Sequence, residues 1–242
     1  MVRSVSALMM VTALIGLTAC DSTQQQAARA RLKAARFIAS ASPTLVRHRN
    51  ADVRVLGVTL VRGSGGSAVT VRLRSSARHP LNDLPISVGI VARGGRRAYL
   101  NAAANVDYFK THLASIGADG AVTWVFTTPR QLPASVTPFA AVGAQPSVPP
   151  TPVRALPRIE VARAQSPTGS SRLRVRVTNV SAVPQYQLQV YAIGLARGRY
   201  VAAGQATVSH LGTGTSQLLA LPLIGDPRAE SVELEAMPTM FQ

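Results

Sequence analysis

The feature that most constrains the fold is a period-two alternation of apolar and polar residues that recurs along the chain. In the clearest case, Leu173, Val175 and Val177 alternate with arginines. Successive side chains of a β-strand point to opposite faces, so this spacing places the apolar residues on one buried face. Comparable runs occupy 53–62, 68–74, 84–90, 122–126, 136–142, 159–164, 188–192, 200–205, 217–221 and 232–236. Short strands with turn signals at this spacing predict an all-β fold built from β-sandwiches.

The two halves of the chain are similar to each other, which indicates a duplication. Residues 71–94 align with residues 175–198 without a gap. We therefore predict two tandem sandwiches of one kind, a first at 50–144 and a second at 157–242. The connection 101–110 is longer than its counterpart and is the main departure of the first copy.

The segment 145–156 between the two copies contains four prolines. Proline-rich linkers adopt an extended polyproline II conformation of about 3.1 Å per residue and act as semi-rigid spacers. This composition predicts a spacer that sets the two domains apart.

The N-terminal segment has the layout of an export signal. Its apolar run over 5–17 is shorter than the about 20 residues that a membrane-spanning helix needs. Residues 17–20, Leu-Thr-Ala-Cys, resemble the lipobox of bacterial lipoproteins, and Cys20 is the only cysteine. The resemblance implies that residues 1–19 are a signal peptide, cleaved between Ala19 and Cys20. It also implies that Cys20 carries diacylglycerol and palmitate at the extracytoplasmic face of the cell membrane. An ordinary secretory signal with an incidental Cys20 is the alternative.

The segment 20–49 is predicted to hold the lipidated cysteine, a short basic helix over 21–40 and a tether to the first sandwich. Its alanine-rich body has high helix propensity. Four basic side chains are candidates for contact with anionic headgroups: Arg29, Arg31, Lys33 and Arg36. Each basic residue near a membrane surface is worth about 1 kcal/mol. A frayed tether between lipid and folded body is the alternative.

The chain is strongly basic, with 26 Lys and Arg against 10 Asp and Glu and a formal net charge of +16. Aromatic residues make up only 5% and offer no stacking platform for bases, so nucleic acid is not an expected partner. An exported basic protein at a membrane meets anionic lipids and wall polymers instead.

Alternate strand positions place arginines in two stripes, one in each copy. The second copy carries Arg172, Arg174 and Arg176, and the first carries Arg72 and Arg74. Guanidinium groups bind phosphates in a bidentate manner, so these stripes are candidates for binding an anionic polymer or lipid phosphates. The alternative is a solvated sheet face that guards against edge pairing.

Four pieces of the second copy carry a family resemblance: 175–181, 190–191, 197–201 and 211–216. The first is a strand that enters an Asn-x-Ser turn, and the last precedes a final strand. Over most of 157–238 the sequence resembles the small immunoglobulin-like domains of exported bacterial proteins that are described by an FxLYD motif. The resemblance implies an immunoglobulin-like sandwich that serves adhesion or scaffolding and has no catalytic residues.

No constellation of catalytic or metal-binding residues is apparent in the sequence. The four histidines lack metal-ligand spacing, so no metal site is predicted. The dipeptide at His112 recurs at His210, which indicates equivalent repeat positions and a shared structural role. Glu233 and Glu235 share one face of the last strand, where a solvated position is expected. The sequence also lacks a nucleophile elbow and a phosphate-binding glycine pattern.

These observations predict a non-enzymatic, membrane-anchored lipoprotein that needs no cofactor. Two immunoglobulin-like sandwiches would be displayed from the membrane and would bind a protein partner in the cell envelope. The alternative is a binder of an anionic envelope polymer or lipid surface that works through the arginine stripes.

Overall fold

A computed structural model describes residues 31–32, 34–35, 45–103, 106–144, 155–165, 172–226 and 228–240. In chain order its elements are β1 Val53–Gly63, β2 Gly66–Ser75, β3 Leu81–Val91, β4 Arg97–Tyr99, the 3-10 helix η1 Tyr108–Lys110, β5 His112–Ile116, β6 Ala121–Thr128, β7 Thr137–Val142, β8 Ile159–Arg163, β9 Arg172–Asn179, β10 Gln185–Ala196, β11 Arg199–Leu211, β12 Ser216–Pro222, β13 Ile224–Gly225 and β14 Ser231–Met237. The strands among these residues pair in antiparallel fashion. The prediction of an all-β fold is confirmed.

The strands β1 to β7 form the first sandwich, which has two sheets. One sheet has the order β1-β2-β6, and in the other β3 pairs with β4, β5 and β7. Leu73 of β2 and Trp124 of β6 are fully buried in one core with Leu84 and Ile86 of β3. The core therefore lies between the two sheets, on the apolar face that the alternation predicts.

The strands β8 to β14 form the second sandwich on the same plan. Its sheets have the orders β8-β9-β12 and β14-β10-β11-β13, so β9 and β10 take the places of β2 and β3. Leu173, Val175 and Val177 of β9 are buried against Leu188 and Val190 of β10. The shared strand order agrees with the duplication seen in the sequence.

The central strands β3 and β10 match residue by residue. Asp83 in β3 and Gln187 in β10 both have a φ of 55°. Asp83 has no partner in the β3–β5 ladder, and Gln187 has none in the β10–β11 ladder. Pairing resumes at the next residue, which is Leu84 in β3 and Leu188 in β10. The ungapped alignment of the two halves therefore gives the register of the repeat in this region.

The predicted equivalence of His112 and His210 is wrong. His112 lies opposite Pro85 of β3, whereas the matching residue of β10, Gln189, lies opposite Thr207. The reason is the connection that precedes β5. In the second sandwich β11 runs unbroken along β10, but in the first the same path is divided into β4 and β5 by a segment that contains η1. The recurring dipeptide does not follow the strand register.

The two sandwiches pack against each other through their outer sheet faces. On the outward side of the β1-β2-β6 sheet, Thr70 and Val125 are buried. Tyr191 and Ile193, on the outward side of β10, join the core cluster of the first sandwich. The expectation that a proline-rich spacer sets the domains apart is therefore wrong, because β10 is apolar on both faces and the first sandwich covers the second face. Residues 145–154 of that segment lie outside the described residues.

Most of the N-terminal predictions also fall outside the described residues. This part of the chain includes Ala19, Cys20, Arg29, Lys33 and Arg36. Residues 31–32 and 34–35 are helical, in agreement with the predicted helix over 21–40. Among the described residues, no helix has the length and apolar character required to cross a membrane.

The end of the tether is held on the first sandwich. The Val46 amide donates a hydrogen bond to Ser87 Oγ at 2.8 Å. Four residues later, the Asn50 amide donates to the Val142 carbonyl at 2.9 Å. The chain is therefore fixed to the β3 and β7 strands before β1 begins.

Candidate functional site

The exposed side of β9 carries the arginines of the second stripe. Arg172, Arg174 and Arg176 are exposed and alternate with buried residues, as the period-two pattern predicts. In the ladder with β12, Leu218 lies opposite Arg176 and Ala220 lies opposite Arg174. Leu218 keeps 42% of its surface exposed. We name these five residues the arginine face, which combines guanidinium groups with an apolar patch.

Arg72 and Arg74 lie on a different sheet of the other sandwich. Both are exposed on the outward side of β2. Arg74 lies opposite Arg54 of β1, and Arg72 lies opposite Thr123 of β6. Farther along the same sheet this side is covered by the second sandwich. Arg72 thus lies beside the seam between the sandwiches, and neither Arg72 nor Arg74 extends the arginine face.

A cleft of ≈ 650 Å³ opens along that seam, and we name it the seam cleft. Residues of both sandwiches line it, including Gly57, Thr59, Arg72 and Thr123 of the first and Arg199 and Glu233 of the second. Arg72, Arg199 and Glu233 are exposed. Within the described ranges, no ion pair engages any of these three side chains. The cleft is therefore lined by two arginines and one glutamate that are not paired with each other or with another charged side chain among the described residues.

Glu235 joins the two sandwiches next to this cleft. Its Oε2 accepts a hydrogen bond from the Thr123 amide at 2.8 Å, and it lies opposite Tyr191 in the β10–β14 ladder. Burial raises the pKa of Glu235 to about 7; the Thr123 hydrogen bond opposes this shift and the nearby Glu233 adds to it. The expectation that Glu235 is solvated is wrong, since the strand face that holds it packs on the first sandwich.

A second polar cluster lies where η1 meets β3 and β5. The Tyr108 hydroxyl donates a hydrogen bond to Asp83, and the Tyr108 ring stacks on the His112 ring with centroids 4.1 Å apart. His112 Nδ1 lies 2.9 Å from the Thr111 hydroxyl oxygen. Burial raises the pKa of Asp83 and lowers the pKa of His112.

This cluster fixes the connection that is specific to the first sandwich, because Tyr108 and His112 are only 7% and 5% exposed. In the described part of the second sandwich, His210 instead stacks on Tyr186. Sequence reasoning did not identify the Tyr108 cluster, although the extra length of 101–110 marked the place. In the described part of the chain, no group of three or more His, Cys, Asp or Glu side chains is arranged to hold a metal ion.

Comparisons with known proteins give no family assignment. No protein-family model matches the chain, and no curated protein matches it. Among solved structures, the crystal structure of red sea bream transglutaminase is similar, with a TM-score of 0.20 and 11% sequence identity. That alignment covers 92% of this chain and 34% of the transglutaminase chain, so the chain spans about a third of its length. At this TM-score the likeness carries no information on activity.

Proposed function

We propose that this chain is a non-enzymatic lipoprotein, anchored through Cys20 at the extracytoplasmic face of the cell membrane, that binds an acidic protein partner in the cell envelope. The arginine face is the proposed contact surface. The observation that carries the proposal is the set of exposed arginines at alternate positions of β9, with the exposed Leu218 beside Arg176.

The composition of this surface favours a protein partner. Guanidinium groups form bidentate hydrogen bonds with carboxylates, and arginine is enriched in protein interfaces. Leu218 and Ala220 add apolar area between the charges, and removal of such area from water favours association with a complementary protein surface. A flexible polyanion needs the charges alone and gains little from the apolar patch.

The rest of the chain supports a display role. The two sandwiches pack on each other, and the tether is held on the first sandwich from Val46 onward. The lipid at Cys20 would therefore be joined to the packed sandwiches by the residues between 20 and 46. An anchor with more than one acyl chain holds a protein stably at a membrane.

We expect the triple variant Arg172→Glu, Arg174→Glu, Arg176→Glu to lose its partner in cells. Reversal of three charges places like charges against an acidic surface, and recovery of the cross-linked partner should fall at least about tenfold. The measurement is cross-linking in intact cells, membrane purification and quantitative mass spectrometry of the attached proteins. The matched control reverses Arg78, Arg93 and Arg96, which are exposed in the first sandwich and give the same net charge. Equal losses in both variants would show that net charge, and not this face, is responsible.

The second candidate function is binding of an anionic polymer or lipid surface, favoured by the three exposed arginines alone. Leu218→Ser distinguishes the two functions, because it removes the apolar patch and keeps every charge. In the Leu218→Ser variant the affinity of a protein complex should fall about tenfold. Sedimentation with phosphatidylglycerol vesicles should be the same for the variant and the parent chain, and for both it should fall steeply as salt is added. Recovery of lipid and polymer without a protein partner, insensitive to Leu218→Ser, would support this second function.

A further inference from the structure

We propose that the seam cleft binds a small organic carboxylate that carries a neighbouring hydrogen-bond donor, such as an amino or hydroxyl group. The carboxylate would lie between Arg72 and Arg199, and the donor would face Glu233. This site is independent of the arginine face, which lies on another sheet.

The size and place of the cleft suit a small ligand. Its volume of ≈ 650 Å³ is within the range of about 300–1,000 Å³ that small-molecule sites occupy, and such sites often lie between domains. The Val55–Gly57 step of β1 contains a register shift, and bulges of this kind are frequent next to binding sites. A Cβ atom on Gly57 would meet nothing within 4 Å, so this wall of the cleft is open.

The charges of the cleft select the chemistry of the ligand. Arg72 comes from the first sandwich and Arg199 from the second, both line the cleft, and among the described residues neither forms an ion pair. Charges between low-dielectric walls focus the electrostatic field, which raises the local concentration of an anion. The carboxylate of Glu233 accepts hydrogen bonds only, so it favours a ligand that also carries a donor. The hydroxyls of Thr59 and Thr123 add uncharged partners.

The packing of the two sandwiches holds this site together. Thr123 of the first sandwich lines the cleft, and its amide donates a hydrogen bond to Glu235 Oε2 of the second sandwich at 2.8 Å. The wall that carries Arg72 is therefore joined to the strand that carries Glu233, two residues before Glu235. Ligand binding and interface closure are coupled, because each needs both halves in place.

The test is a titration of the folded chain with three probes, glycine, glycolate and inorganic phosphate, followed by backbone amide NMR. We expect saturable shifts at the amides of Gly57, Thr123 and Gly198 with glycine or glycolate at about 10 mM, and weaker shifts with phosphate. Which of the two organic probes binds more tightly identifies the donor as ammonium or hydroxyl. Arg72→Gln and Arg199→Gln should each raise the Kd at least tenfold.

Two further variants keep the test decisive. Arg74→Gln removes a neighbouring exposed charge of the same strand outside the cleft, and it should leave the Kd unchanged. Gly57→Trp fills the open wall and should abolish binding while thermal unfolding shows a folded protein. The proposal is overturned if no probe gives saturable shifts at these amides, or if Arg74→Gln weakens binding as much as Arg72→Gln.

Discussion

The free energy of unfolding is expected to fall by about 3 kcal/mol between pH 4.5 and pH 7 because of a single side chain, Glu235. Its carboxyl has an ordinary pKa of 4.5 in the unfolded chain, and burial at the seam raises the pKa to about 7 in the folded protein. Each unit of difference is worth 1.36 kcal/mol, which gives the stated magnitude.

The direction follows from which state binds the proton more tightly. Between the two pKa values the folded protein keeps the proton of Glu235 and the unfolded chain has released it. Rising pH therefore favours the unfolded chain across this window, and the loss is complete above about pH 7. Burial, the largest cause, and the nearby acid Glu233 both act in this direction, and the hydrogen bond from the Thr123 amide acts against it.

Glu235→Gln isolates this effect. Its side-chain amide oxygen can accept the hydrogen bond from the Thr123 amide, and it does not titrate. The variant should lack the decrease of about 3 kcal/mol and should be more stable than the parent above pH 7. Urea denaturation of both proteins at a series of pH values gives the difference between their free energies of unfolding. Titration of Asp83 and His112 cancels in this difference because both proteins contain these residues. Glu233→Gln is the control for removal of an exposed acid. Parallel pH profiles for the parent and Glu235→Gln would refute the prediction.

The alternation of apolar and polar residues was enough to predict the strands, but it did not predict which surfaces pack against each strand. In β9 one face is buried and the other exposed, so the period of two is clear from the sequence. In β10 both faces are buried, and the run over 188–195 is almost continuously apolar. Leu188 and Val190 face the core of their own sandwich, as expected. Tyr191 and Ile193 lie on the opposite face, and apolar residues on both faces are typical of a strand that is buried on both sides. These two residues therefore indicated that a second surface covers β10.

The candidate sites were predictable to the extent that they depend on one strand. Alternate spacing fixes the exposure of Arg174 and Arg176 without reference to the rest of the fold. The seam cleft depends on Arg72 and Arg199, which lie far apart in the chain and meet through packing of two sheets. Short strand patterns do not encode that packing. For the same reason the burial of Glu235 was not predicted, because its strand alternates like an exposed one.

Gly63→Ala is expected to lower the free energy of unfolding by about 2 to 3 kcal/mol by forcing the two sandwiches apart. Gly63 ends β1 and lies against Gly225 of β13, so the two backbones meet without intervening side chains. A Cβ on Gly63 would lie 2.4 Å from the Gly225 nitrogen and 2.9 Å from its Cα. These atoms belong to the backbone of the other sandwich, so no flexible side chain can move aside.

Gly57→Ala is the matched control, since it adds the same methyl group to the same strand where nothing lies within 4 Å. Its stability should stay within about 0.5 kcal/mol of the parent. Urea denaturation of both variants measures the difference, and amide exchange locates it. The Thr123 amide should exchange faster in Gly63→Ala, because its bond to Glu235 crosses the same interface. Equal stability of the two variants, with unchanged exchange at Thr123, would mean that the Gly63–Gly225 contact does not hold the sandwiches together.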